Sequence, residues 1–440
     1  MEQLFKILTE SLFSKLQSDE ELVANFHGED TLFMRFNKAQ VRQVSDVLQM
    51  SLSLTLKKDG RESSTTISVS SDQATDTAQC EDCLNNLRKR LTTLEKQPFF
   101  VEVTNNGTSH TVNKGMLLSS EEYLEIITSE AKNVDLAGIL ISGDIAVGNA
   151  NSKGQYHWFK STSFCVDYSL YTAKEKAVKA SYSGTKFVRQ DFIETLVEAK
   201  KNLSYMATPN KILPPGKYRC YLAPAAVNEI LVTYNWGGTS QSALKRGNSP
   251  LLPIENEGKE LSEKFTLKED FSLGLHPSFN AEGEVSPKSL NIFKNGKLEN
   301  LLTSTKTAKE FDLKSTNAND GEQLQSAVIA TGNLKREDIL KELNNGIYIS
   351  NLHYLNWSDN KKGRITGMTR FACFAVENGK IVAPIKDLRF DETIFNIWGE
   401  NLLAVTNFAE TEVNTDTYFK RSPGGQQCPG MLVKDFNFTL

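Results

Sequence analysis

A chain of 440 residues, 39% apolar and 24% charged, has the length and composition of about two or three ordinary globular domains with sizeable cores. Its 50 Lys and Arg stand against 54 Asp and Glu, a net charge of -4, which gives no electrostatic reason to expect a nucleic-acid backbone as the main partner. No apolar run approaches the roughly eighteen residues of a membrane helix, and "MEQLFKILTESLF" carries Glu2 and Glu10 inside its apolar pattern, so a cytoplasmic chain without a secretion signal is expected.

Leu4, Ile7, Leu8, Leu12 and Leu16 recur at helical spacing, which predicts an amphipathic helix over 1–17. Strands follow. Leu52, Leu54 and Leu56 alternate with Ser51, Ser53 and Thr55, "KKDGRE" reads as a tight Asp-Gly turn, and "TTISVS" returns as the partner strand. Helices are predicted over 74–96 and from "SSEEYLEIITSEAK", where Ser119 or Ser120 caps and the acidic pair suits the positive helix end. "LAGILISGDIAVG" at 136–148, broken by Ser142, Gly143 and Asp144, reads as two buried strands, and Asn151-Ser152-Lys153-Gly154 as a turn. "RQDFIETLVEAKKNLSYM" closes this half as a helix. "ATPNKILPPGKYRC", with Pro209, Pro214, Pro215 and Gly216, is the best linker. Beyond it, "IFKNGKL" and "AVENGKIV" place Asn-Gly between apolar runs, the signal of short hairpins. The expectation is an α+β protein: an α+β domain with an antiparallel sheet over 1–206, then a mainly β domain over 207–440.

The chemistry-bearing residues are sparse. Six cysteines are scattered, and the lone C-x-x-C of Cys80 and Cys83 lies in a helical stretch, so ordinary thiols outweigh a zinc or redox role. Cys428 in "SPGGQQCPG" reads as a loop cysteine. None of the five histidines forms an H-x-x-x-H pair; His27 and His110 sit in loop-like surroundings, while His353 has aromatic neighbours that suit a core or a pocket. No G-x-S-x-G or G-x-x-x-x-G-K-[ST] occurs, and "GRITGMTRF" lacks the strand-loop-helix context of a nucleotide site. Composition and spacing by themselves reach a soluble two-domain protein.

"GIYISNLHYLNWSDNKKGRITGMTRFACFAVENGKIVAPIKDLRF" resembles the closing motif of the TldD/PmbA (TldD/TldE) peptidase family. There a glycine-anchored strand leads through a Gly-Arg turn to a V-E-N-G-K hairpin and a P-[IV] strand. Gly346, Gly363, Arg364, Gly367, Val376, Glu377, Asn378, Gly379, Lys380 and Pro384 carry that pattern here. Asn151, Ser152 and Gly154 of "NSKG", and Glu282 and Gly283 of "FNAEGEV", agree with two further family turns. In TldD-type members a helix carries H-E-x-x-x-H, two zinc ligands and a water-activating Glu. Counting back from "LKRGNSP", matched through Lys245, Arg246, Gly247 and Ser249, puts Val232, Thr233 and Gly237 at those positions. No histidine occurs between His157 and His276.

The resemblance is therefore to the TldE/PmbA branch, the "modulator of DNA gyrase" proteins. It implies a binding and assembly subunit without a metal of its own, zinc being expected only in a TldD-type catalytic partner. It also implies an unstructured peptide substrate, held as a strand added to a sheet edge, and no direct contact with nucleic acid or membrane. Two other readings stand beside it. One is an active metallopeptidase with a divergent site built from His276 or His353 and Glu282 or Asp359; the other is a non-catalytic homodimeric scaffold.

Overall fold

The computed structural model describes residues 1–415 and 419–440 of this α+β protein. Helix α1 (Glu2–Phe13) buries Phe5, Leu8 and Leu12. Three long strands follow: β1 (Glu21–Asn37), β2 (Gln40–Lys58) and β3 (Arg61–Val69). The Asp-Gly turn between β2 and β3 forms as expected, with φ of +52° at Asp59 and +72° at Gly60. Helix α2 (Gln73–Leu91) is capped by Asp72, whose side chain accepts from the Thr75 amide at 2.8 Å. After β4 (Thr108–Asn113), α3 (Ser120–Glu130) opens with a full capping box between Ser119 and Glu122. Strands β5 (Asp135–Asn151), β6 (Tyr156–Tyr171) and β7 (Ala177–Gly184) precede α4 (Arg189–Met206).

β5 corrects the expectation of two strands across 136–148. It runs unbroken for 17 residues, because Ser142, Gly143 and Asp144 all keep their pairing with β1 and β6. His27 and His110 are likewise on strands, not loops. His27 lies on β1, where burial, then the Lys420 charge, pushes its pKa down to about 4; His110 lies on β4, exposed and 3.2 Å from Glu2. The seven strands form one sheet in the order β3-β2-β1-β5-β6-β4, with β7 also on β6. All four helices cover one face. α1 and α2 pack on Phe26, Leu52, Leu54 and Leu56, and α3 and α4 on Met34, Phe36, Leu140 and Phe164.

Past residue 207 a 13-stranded sheet takes over. Strand β8 (Gly216–Leu222) runs into helix α5 (Pro224–Tyr234), which starts with the proline expected at a first helical position. α5 lies on the long C-terminal strand Gly425–Phe438 and on Asn351–Asp359. Its buried face of Ala226, Val227, Ile230, Leu231 and Tyr234 joins the largest core, around Phe265 and Trp398. Both Asn-Gly hairpins form, at Asn295-Gly296 and Asn378-Gly379, each with two positive φ values. Cys428 is not in a loop: it is buried on Gly425–Phe438, opposite Glu410.

Candidate functional site

The two family turns, 130 residues apart in sequence, meet. The Asn151 Oδ1 accepts from the Lys153 and Gln155 amides at 2.9 and 3.3 Å, Ser152 Oγ accepts from the Leu22 amide at 3.1 Å, and Gly154 closes the turn at φ +89°. Gln155 Nε2 then donates to Asn149 Oδ1 at 2.6 Å and to the Glu282 carbonyl at 3.0 Å, while Asn149 Nδ2 donates to the Ala281 carbonyl at 2.8 Å. Lys57, 1% exposed, donates to both Glu282 carboxylate oxygens at 2.9 Å. Burial pushes the Glu282 pKa up against that pull. Gly283 sits at φ +76°, where a Cβ would lie 1.7 Å from Gln155 Nε2. These residues interlock the seven-stranded sheet with the second half of the chain.

The third motif region makes its polar contacts within the second half, while Phe374 packs on Tyr205 of α4. Gly363 takes φ +60°, with Pro250 O and Ile394 Cγ1 each 3.0 Å from a would-be Cβ; at Gly367 the Phe390 ring would be 2.8 Å away. Arg364 faces Asp391 at 3.8 Å. Glu377 pairs with Lys211, and the Asn378 and Gly379 amides donate to Asn345 Oδ1 and the Asn344 carbonyl at 2.9 and 2.8 Å. None of these lies on α5. The four residues of the divergent-site reading stay scattered. His276 is half-buried, its Nδ1 2.7 Å from the Pro277 carbonyl; His353 is exposed on a strand; Glu282 is held by Lys57; and Asp359 faces Lys362 at 3.6 Å.

On α5 itself, Val232 points to solvent at 39% exposure, whereas Thr233 is buried and its Oγ1 donates to the Glu229 carbonyl at 3.0 Å. Gly237 lies beyond the helix end at φ +90°. The three do not converge. Behind them, Lys245 is exposed, Arg246 pairs with Glu310 at 2.6 Å, Gly247 turns at φ +66° and Ser249 is buried.

What does converge is one turn earlier. Asn228 Nδ2 donates to Glu412 at 3.0 Å, and Cys428 Sγ lies 3.9 Å from Asn228 Oδ1. Burial, then the Asp167 and Glu229 carboxylates, pushes the Glu412 pKa up to about 7. Lys179 Nζ holds Asp167 at 3.1 Å. Burial works against its ammonium, but the charges of Asp167, Glu412 and Glu229 outweigh that and raise its pKa. Burial also raises the pKa of Glu229, the Lys179 charge opposing it. So Asp167 and Lys179 from the first sheet meet Asn228, Glu229, Glu412 and Cys428 from the second half. Sequence reading missed this cluster, because its members are spread over some 260 residues without a local pattern. The amide, hydroxyl and ammonium here do not suit a zinc ion: Asn228 and Thr233 spend their polar atoms on the fold, and Lys179 would repel a second cation. Among the described residues no three His, Cys, Asp or Glu groups are gathered as metal ligands. Cys80 and Cys83 lie far off on α2, both thiols pushed up by burial, Cys80 to about 12.

An α+β chain with this second half has the fold of a metallopeptidase family. The sequence profile of the PmbA/TldA metallopeptidase C-terminal domain matches residues 215–440, and the chain belongs to that family. Three crystal structures share the fold. A candidate modulator of a DNA gyrase from Thermotoga maritima is 17% identical, with a TM-score of 0.76 over 99% of this chain and 100% of that one. A second candidate modulator of DNA gyrase, from Bacteroides thetaiotaomicron, is 17% identical with a TM-score of 0.78 over 100% and 98%. TldE from Thermococcus kodakarensis is 14% identical with a TM-score of 0.75 over 100% of both chains. The comparison with curated proteins gave no match. No helix among the described residues is long and apolar enough to cross a membrane.

Proposed function

We propose that this chain is the TldE-like member of a two-subunit metallopeptidase: it holds an unstructured peptide and assembles with a TldD-type partner that carries the zinc. One observation carries the reading. Asn228, Glu229 and Thr233 have the spacing of H-E-x-x-x-H, with the glutamate kept and both imidazoles replaced. This register differs by four residues from the one counted back from Lys245–Ser249. It is favoured because Asn228 and Glu229 share their surroundings with Cys428, Glu412 and Lys179, whereas Val232 and Gly237 have no such neighbours. A glutamate can activate water on a peptide bond only beside a Lewis acid, and Lys179 supplies charge here without an open coordination position. For assembly, β3 pairs only with residues 50–58 of β2, so the outer edge of β2 from 40 to 49 has no strand beside it among the described residues, and it exposes Val44 and Leu48. Such an edge is a template for another chain. The domain division near residue 207 belongs to the same proposal, the cluster lying where the two halves face each other.

The test is a peptidase assay on an unfolded polypeptide. The purified chain is expected to be inactive with or without added zinc, and active as a complex with a histidine-bearing relative. Chelator-sensitive cleavage by the chain alone overturns the proposal.

A further inference from the structure

The helix-free face of the first sheet carries a feature that the α5 cluster does not use. Across the strands, Arg35 stands opposite Gln43 on β2 and Ile139 on β5, and Ile139 stands opposite Asp167 on β6. Directly paired residues in a sheet share a face, so Arg35, Ile139 and Asp167 line one row. Lys179 opposes Ser169, two residues along β6 from Asp167, and so points to the same side. Near the middle of the sheet this face is covered: Ser183 Oγ donates to the Thr411 carbonyl at 2.7 Å, and Arg421 donates to Thr31 and Ser163 at 3.2 and 2.9 Å. Towards the β1–β2 turn the cover ends. There a cavity of about 590 Å³ opens, lined by Arg35, Arg42, Asn37, Gln43, Ala137 and Ile139 among others. Both guanidiniums are exposed, and among the described residues neither has an ion-pair or hydrogen-bond partner. The bulge that shifts the register between Arg35 and Phe36 makes Arg42 the extra residue, setting it out of the regular alternation next to Gln43. Lys38, at φ +52° in the turn, adds a third positive charge.

We infer that this cavity is a carboxylate-binding subsite for a peptide lying in the cleft, with Arg35 and Arg42 as the charge-assisted donors and Ala137 and Ile139 as the apolar floor. The inference rests on the peptide-binding reading above. Planar guanidiniums match a carboxylate in shape as well as charge. The spacing fits. Arg35 and Asp167 are two strand separations apart, about 10 Å, which an extended peptide spans in about three residues. A carboxylate on the arginine pair therefore places the preceding residues beside Asp167, Lys179 and Glu229. A peptide C-terminus and an acidic side chain present the same chemistry.

The test measures binding of the full chain to a fluorescent, unstructured decapeptide in three forms: free acid, C-terminal amide, and amide with Glu at the last position. Citrate serves as a probe without a peptide. The wild-type chain is expected to bind the free acid at least tenfold more tightly than the amide. The Arg35→Gln/Arg42→Gln variant should lose that preference, with unchanged circular dichroism because neither side chain has a partner to lose. Recovery by the Glu-bearing amide assigns the site to acidic side chains, and no recovery assigns it to the C-terminus. Equal binding of acid and amide, undiminished in the double variant, overturns the subsite and leaves the peptide reading standing. Binding of citrate that the double variant loses, with no binding of any peptide, upholds the anion site and overturns the peptide reading. Absence of both overturns both.

Discussion

Replacing Gly283 with Ala tests the interlock between the two halves. At φ +76° a residue with a Cβ costs roughly 1 kcal/mol on backbone grounds. The new methyl would also stand 1.7 Å from Gln155 Nε2 and 2.5 Å from Asn149 Oδ1, so the Gln155 amide has to leave. Its departure breaks its bonds to Asn149 and to the Glu282 carbonyl and the one it accepts from the Asn106 amide, at about 1 kcal/mol each. The expected loss is about 4 kcal/mol. Urea unfolding, followed by tryptophan fluorescence and far-ultraviolet circular dichroism, measures it. In a Gln155→Ala background the collision with Gln155 is gone and only the Asn149 Oδ1 approach at 2.5 Å remains, so Gly283→Ala should there cost only about 1–2 kcal/mol. A loss below about 0.5 kcal/mol, or the same loss in both backgrounds, would refute the argument that Gln155 requires glycine at 283.

Three further outcomes are expected. Glu412 and Glu269 both have pKa values raised by burial from the ordinary 4.5 to about 7, so each binds its proton more tightly folded than unfolded. Their contribution to stability is complete below about pH 4.5 and is lost as pH rises through 7; Glu412→Gln should therefore gain on wild type between pH 5 and 8, and a constant difference across that range counts against the Glu412 assignment. Lys179→Met removes the cation among Asp167, Glu229 and Glu412, and should cost about 1–2 kcal/mol at pH 8 after solvent screening, with partial rescue by Glu412→Gln in the same thermal melts. Gly367→Val presses on Phe390, 2.8 Å from a would-be Cβ, and on Leu355 at 3.0 Å; a loss of about 1–3 kcal/mol in denaturant titration is expected.

Local signals carried most of the elements. The capping box at Ser119, the span of α4, and the Asn-Gly and Asp-Gly hairpins are set by residues within a few positions of each other, and the sequence alone determined them. The absence of imidazole between His157 and His276 also needs no structure. Pairing was different. Gly143 reads as a break in 136–148, yet β1 and β6 on either side hold β5 in one extended strand, so tertiary hydrogen bonding overrides the local preference. His27 reads as a loop residue because its strand is polar on one face, and only the sheet shows which face is buried. The α5 register proposed above was beyond reach as well: counting from Lys245–Ser249 assumes a fixed connection, while the proposed register rests on what stands opposite Asn228. Asp167, Lys179, Glu229 and Glu412 become one electrostatic unit only when the two halves close on each other. Charges that are solvated and independent along the chain share a proton-binding equilibrium once burial removes the water between them.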